Sequence, residues 1–231
     1  MTLTPVVYII FNRPDHVAKS FECIRGAKPS RLFLVSDAAR TDRPEEAQKV
    51  QQSRTIAEAV DWPCEVTKLY AESNMGCGQR ISSGITMAME TSQRVIVLED
   101  DCIADPTFFS YCDALLDRYA DDPRVMAVSG DNFQQGQTRT ESSYYFSKYP
   151  HCWGWATWRR AWQHFQLELP DWETLQENIN LNRMLSDPKE RAFWKSIWHR
   201  VQTRRVDSWA FPWHFACWQQ GGLTALPDVN L

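Results

Sequence analysis

Short, unbroken apolar runs alternate with longer mixed segments through the first half of this 231-residue chain. Val6-Val7-Tyr8-Ile9-Ile10-Phe11 is rich in β-branched residues, as expected of a strand covered on both faces in a parallel sheet. Asn12-Arg13-Pro14-Asp15 closes the run. Pro14 suits a first helical turn, and Val17, Phe21 and Ile24 then recur at helical spacing. Leu32 to Val35 predicts a second strand ending at Ser36-Asp37, Pro44 to Asp61 a polar helix, and Glu65 to Tyr70 a third strand. Asn74-Met75-Gly76-Cys77-Gly78 predicts a turn, followed by a helix with Ile81, Ile85 and Met89 on one stripe. Arg94 to Leu98 predicts a fourth strand that runs directly into Glu99-Asp100-Asp101. Asp105-Pro106 opens a helix carrying Phe109, Cys112, Leu116 and Tyr119, and Val125 to Val128 ends at Ser129-Gly130-Asp131-Asn132. Strand and helix alternating at this interval predict an α/β fold with a doubly wound, mostly parallel central sheet flanked by helices.

The second half differs in one respect. There are 11 Trp, and all except Trp62 lie beyond residue 150. No Pro/Gly/Ser-rich linker marks the change, so we read one domain over 1–231 with two unlike halves, 1–133 and 134–231, the second Trp-rich and helical. Trp153 to Trp158 predicts the beginning of a helix in which Trp158 and Trp162 stand one turn apart. A stripe at that spacing belongs to a core. Trp153 and Trp155, flanking Gly154 in an expected loop, are candidates for lining a sugar pocket, because aromatic faces suit the apolar faces of sugar rings. Trp209 and Trp213 fit either role. His151 and His214 lie near these aromatic segments, as polar contacts or as histidines without a role.

Composition excludes several classes. A net charge of −4 argues against a phosphate-tracking nucleic-acid surface. No apolar run is long enough to span a bilayer. Seven cysteines without a Cys-x-x-Cys pair fit neither a zinc site nor a disulfide framework. An N-terminus that enters an apolar run without a basic leader adds to the expectation of reduced thiols in a cytoplasmic protein.

In an open parallel sheet, ligands bind beyond the carboxyl ends of the strands. The polar residues at those ends are Asn12 and Arg13, Asp37, Glu99 to Asp101, and Asp131. The acidic triplet is the sharpest signal. Alternation along an extended chain puts Glu99 and Asp101 on one side and Asp100 on the other. Two unit charges about 5 Å apart repel by roughly 3 kcal/mol at an effective dielectric near 20. A divalent cation shared with substrate phosphates relieves that repulsion; a solvated acidic loop is the plainer alternative. The Asn74–Gly78 turn either brings backbone N–H groups to a phosphate at a helix N-terminus or simply joins a strand to a helix.

Three stretches together resemble N-acetylglucosaminyltransferase I and its bacterial relatives of the GT-A fold. The first is Asn12-Arg13 with Ser36-Asp37. The second is Val95 to Asp101, followed by Asp105-Pro106-Thr107-Phe108-Phe109-Ser110-Tyr111. The third is Tyr144-Tyr145-Phe146 leading to Gly154-Trp155 and Trp162. The resemblance implies a GT-A fold and transfer of a sugar from a nucleoside diphosphate sugar to a hydroxyl, and it favours inversion. It makes Glu99-Asp100-Asp101 a version of the Asp-x-Asp motif, with Asp101 the ligand of Mn²⁺ or Mg²⁺ and Asp100 facing the ribose or sugar. Arg13 and Asp37 take the positions that hold the nucleotide, and Asn12, Asn74 and Gly76 line the same site.

Two departures accompany it. The relatives carry a carboxylate base between two tryptophans, whereas Trp209-Ala210-Phe211-Pro212-Trp213 has no acid inside it; Asp207 is the nearest substitute. The chain also ends at Asp228-Val229-Asn230-Leu231, where relatives continue through a Gly-rich segment, so it reads as truncated or as lacking that closure. Two rivals follow: a nucleotidyltransferase, and a domain that binds a nucleotide sugar or glycan without turnover.

Overall fold

In the computed structural model, which describes residues 4–137 and 140–231, five strands alternating with four helices open the chain. They run β1 (Val6–Ile10), α1 (Pro14–Ala27), β2 (Arg31–Ser36), α2 (Glu45–Ala57), β3 (Glu65–Tyr70), α3 (Cys77–Thr91), β4 (Arg94–Glu99), α4 (Phe108–Arg118) and β5 (Val125–Ser129). Each strand falls on a segment predicted above. Asp105 does accept from Thr107 N, at 2.8 Å, but it closes a turn ahead of α4, which starts at Phe108.

The second half adds β6 (Tyr144–Ser147), β7 (Trp155–Trp158), α5 (Arg159–Trp162), α6 (Trp172–Leu175), α7 (Ile179–Met184), α8 (Pro188–Gln202), α9 (Ala210–Gln219) and β8 (Leu223–Pro227). All eight strands form one sheet in the order β3-β2-β1-β4-β7-β5-β8-β6. The pairs β1–β2, β1–β4, β2–β3 and β5–β8 are parallel; β4–β7, β5–β7 and β6–β8 are antiparallel.

One expectation fails here. Trp155 to Trp158 is a strand, wedged antiparallel between β4 and β5, and not the start of a helix. Helix begins only at Arg159. Four residues are too few for periodicity to separate the two states, and the hydrogen bonds that decide lie in distant strands.

Side chains alternate across the sheet and sort into two cores. Val6, Tyr8 and Ile10 face Phe21, Phe109 and Leu116. Val7 and Ile9 face Ile81, Ile85, Trp155 and Trp213. A third cluster joins Trp172, Trp194, Trp198, Phe215 and Trp218. Helix α9 links the last two, with Trp213 and Cys217 turned to the sheet and Phe215 and Trp218 turned away from it.

Helix α3 lies so close to β2 that a Cβ added at Gly84 would stand 2.5 Å from Val35 Cγ1. Overpacking of this kind costs about 2 kcal/mol even after the helix-propensity gain of alanine. Gly84→Ala is therefore expected to lower the melting temperature by roughly 4–8 °C in a chain of this size. An unchanged melting curve would show that α3 can lift off the strand at little cost.

His214 on α9 is stacked on Trp194, with ring centroids 5.6 Å apart, and its Nδ1 is 2.8 Å from Ala210 O. Burial holds its pKa down at about 4. Above pH ~6.5 folded and unfolded chains are both neutral at this ring, and nothing is lost. As pH falls below that value the unfolded chain takes up the proton first, so stability declines until pH reaches about 4. The loss is about 2 kcal/mol, because the ring edge keeps some contact with water. His214→Phe should remove this acid-side loss from the pH dependence of the melting temperature; the same slope in the variant would place the titration elsewhere.

Candidate functional site

A cleft of about 500 Å³ opens at the carboxyl ends of β1, β2 and β4. Asn12, Arg13, Asp37, Asn74, Gly76, Glu99, Asp100 and Asp207 all line it. Residues more than a hundred positions apart in sequence thus share one depression, at the edge where an open parallel sheet binds its ligands.

The acidic triplet is arranged differently from simple alternation. The strand stops at Glu99, and the following turn lets one guanidinium serve both aspartates. Arg13 pairs with Asp100 and donates to Asp101 Oδ2 from Nη1 at 3.0 Å. Asp100 is only 2 % exposed, and its carboxylate is paired with Arg13 at the cleft wall. Its backbone carbonyl accepts from Ser20 Oγ at 3.0 Å, and Ser20 in turn meets Tyr8 Oη at 2.6 Å, which ties the turn to α1. Asp101 remains half-exposed.

Glu99 lies apart from this pairing. Burial first, then the charges of Asp101 and Asp100, pushes its pKa up to about 7. One arginine does not balance three carboxylates, and oxygen donors crowded in this way suit a hard divalent ion. Among the described residues no cluster of three or more His, Cys, Asp or Glu forms a complete metal cage. The donor set fits a Mn²⁺ or Mg²⁺ ion that takes one or two carboxylates from the protein and the rest from phosphate and water.

The Asn74–Gly78 turn is filled from within. Asp37, 6 % exposed, accepts from Met75 N at 3.0 Å and from Gly76 N at 3.0 Å. Asp207 accepts from Cys77 N and Gly78 N, each at 2.8 Å, and so caps α3 from 130 residues away. Two carboxylates therefore occupy the N–H groups that the sequence offered to a phosphate. The glycines make this approach possible: a Cβ at either Gly76 or Gly78 would stand 2.6 Å from an Asp207 oxygen. Asn74 Nδ2 donates to Ala38 O at 2.7 Å, and Asn12 Nδ2 to Glu46 Oε1 at 3.1 Å.

Arg80 was not singled out by the sequence reading. It lines the cleft and is 7 % exposed. Its Nε and Nη2 have no hydrogen-bond partner among the described residues, and Nη1 has only Met75 Sδ, at 3.7 Å. Burial lowers its pKa. A guanidinium left unpaired inside a protein is costly unless an anion arrives to meet it. The available signal was its place beside Ile81 and one turn before Gly84, on the face of α3 turned to the sheet.

The aromatic candidates separate. Trp155 is 1 % exposed and stacked on Trp209, with centroids 5.3 Å apart, so it belongs to the core beneath the sheet and does not line a sugar pocket. Gly154 is buried at φ +78°, with its carbonyl accepting from Gly130 N at 2.8 Å. Trp158, Trp162, Trp209 and Trp213 are core residues. Trp153 alone of this group is open, at 56 % exposed.

No family model matches the chain, and no curated protein does. Solved structures do resemble it. The S. aureus TarS fragment 1–349 aligns at 13 % identity and a TM-score of 0.46, over 74 % of this chain and 52 % of that one. The chain thus spans about half the length of that relative. The Pyrobaculum calidifontis mannosyltransferase PcManGT, solved with GDP-Man and Mn²⁺, aligns at 12 % identity and a TM-score of 0.48, over 96 % of this chain and 70 % of that one. A UDP-glucose pyrophosphorylase complexed with UDP-glucose aligns at 11 % identity and a TM-score of 0.40, over 70 % and 78 %. No helix among the described residues is long and apolar enough to cross a membrane.

Proposed function

We propose that the protein transfers a sugar from a nucleoside diphosphate sugar to an acceptor hydroxyl, with a divalent metal, on a GT-A scaffold. The observation that carries this reading is the cleft lined by Glu99, Asp100 and Arg80, with Asp101 joined to it through Arg13 and with Arg80 Nε and Nη2 lacking a hydrogen-bond partner among the described residues. An acidic wall and a buried arginine with donors to spare suit a ligand that brings phosphates together with a metal. Asp101, with Glu99 beside it, would hold Mn²⁺ or Mg²⁺; Arg80 meets the diphosphate, and Asn12, Arg13, Asp37 and Asn74 surround the nucleoside. A metal bound there supplies Lewis-acid stabilisation of the leaving diphosphate.

The acceptor oxygen attacks the anomeric carbon while the bond to the diphosphate breaks. The hydroxyl proton goes to a carboxylate base, for which Asp207 at the cleft wall is the assigned residue. Asp207 can accept it only after leaving at least one N–H of α3. That same contact favours a second reading, a nucleotide-sugar-binding domain without turnover, in which Asp207 is solely a helix cap.

The test is a thermal-shift panel of nucleoside diphosphates with and without Mn²⁺, read alongside release of nucleoside diphosphate from nucleotide sugars. A ligand that binds only the folded chain raises the melting temperature by mass action. Arg80→Gln is expected to weaken the shift with and without metal, while Asp101→Ala removes only its metal-dependent part. Pyrophosphate as the released product would assign nucleotidyl transfer instead, and no shift with any nucleotide would defeat both readings.

A further inference from the structure

Beyond the nucleotide cleft, the edge of the sheet carries a second group of side chains. Strand order places the cleft over β2, β1 and β4, while β7 and β5 lie on the other side of the acidic triplet. The β4–β7 register pairs Val97 with Trp155, and Trp153 lies two residues before that strand while Glu99 lies two residues after Val97, so both flank the same end of the ladder. Trp153 and Phe133 are each 56 % exposed and meet edge to face, with centroids 5.7 Å apart. His151 closes the other side of Phe133 at 4.9 Å.

These rings are exposed on backbone that is held in place. Asp131 Oδ2 accepts from Trp153 N at 3.2 Å, and Gly130 N donates to Gly154 O at 2.8 Å. On the Phe133 side, Asn132 Nδ2 donates to Pro227 O at 2.8 Å and to Asp228 O at 2.7 Å, and Asn132 N donates to Asn230 Oδ1 at 2.9 Å. Large apolar rings left in water on a fixed frame are preorganised for a ligand, because little ordering remains to be done on binding.

We propose that Trp153 and Phe133, positioned by Asp131 and Asn132, form a stacking platform for a pyranose ring of the acceptor. The proposal rests on the transferase reading, which puts the donor diphosphate over β4 and leaves the β7–β5 side to the acceptor. One ring face takes up the C–H face of the sugar, while the second ring, standing nearly perpendicular to it, flanks the sugar's edge. The Trp153 indole N–H and the His151 ring would supply polar partners for sugar hydroxyls.

The test is saturation-transfer NMR on the full chain with methyl glycosides of glucose, galactose, mannose and N-acetylglucosamine. Each is measured alone and with a nucleoside diphosphate and Mn²⁺, for the wild type, Phe133→Ala and Trp153→Ala. Ring-proton saturation by at least one glycoside is expected, weakened about tenfold in each variant. The nucleotide-dependent thermal shift should survive in Phe133→Ala, whose side chain is outside the cleft. A response from no glycoside, or one unchanged in both variants, overturns the platform. Displacement of the glycoside by a nucleotide sugar overturns its assignment to the acceptor. A glycoside response that Phe133→Ala abolishes, in a chain that binds no nucleotide with metal, instead overturns the transferase reading and leaves the platform standing.

Discussion

Asp101→Ala is expected to abolish the metal-dependent part of nucleotide stabilisation and to lower sugar transfer by at least about 100-fold. The chain should still fold, because Asp101 is the half-exposed member of the triplet and its one ion pair is shared with an arginine that keeps Asp100. Loss of an exposed pair costs at most about 1 kcal/mol of stability. The variant therefore separates chemistry from folding, provided its melting temperature without ligand stays near that of the wild type. Metal-free nucleotide binding should persist through Arg80, so the two curves of the thermal-shift panel are expected to merge, not vanish. Equal transfer by Asp101→Ala and wild type would remove the metal role from this residue.

The second large effect concerns Asp207. Removing its carboxylate leaves Cys77 N and Gly78 N without their partner and takes a negative charge from the positive end of α3. Lost caps cost about 1–2 kcal/mol, so Asp207→Ala should melt roughly 2–8 °C lower. If Asp207 is also the base, transfer falls by a further factor of about 10² to 10⁴. A pH–rate profile distinguishes the two roles: loss of a base removes the acid limb while nucleotide binding persists, whereas loss of a cap weakens binding and transfer together. Near-normal transfer in a destabilised Asp207→Ala chain would leave the capping role alone.

Of the five strands of the first half, β3 at the sheet edge is mixed in sequence and only partly buried, whereas the other four were legible because each carries a continuous apolar run. The same holds for α1, where Pro14 and the spacing of Val17, Phe21 and Ile24 specify a start and a face. Convergence of Asn12, Arg13, Asp37 and Glu99 to Asp101 on one edge was legible too, since it follows from strand direction alone. What was not legible depends on partners far along the chain. Trp158 and Trp162 satisfy a helical spacing, yet β4 and β5 supply ladders that make Trp155 to Trp158 a strand. Trp155 could not be assigned to the core without that strand, because alternation then turns it inward. Nothing local marks Asp207 as the cap of a helix 130 residues earlier. Arg80 reads as an ordinary helical arginine until the helix is docked and its guanidinium is found inside.

The position of β7 also governs how the chain must be assembled during synthesis. When the ribosome has released only the first five strands, β4 and β5 have no ladder between them, and the strand that joins them is still unmade. The nascent half-sheet then presents an open apolar edge at β4, next to the acidic triplet, of the kind that pairs with other chains. The cleft, whose wall includes Asp207, and the sheet that supports it therefore mature together and late. Expression of residues 1–133 alone should give an aggregating fragment, not a small nucleotide-binding protein.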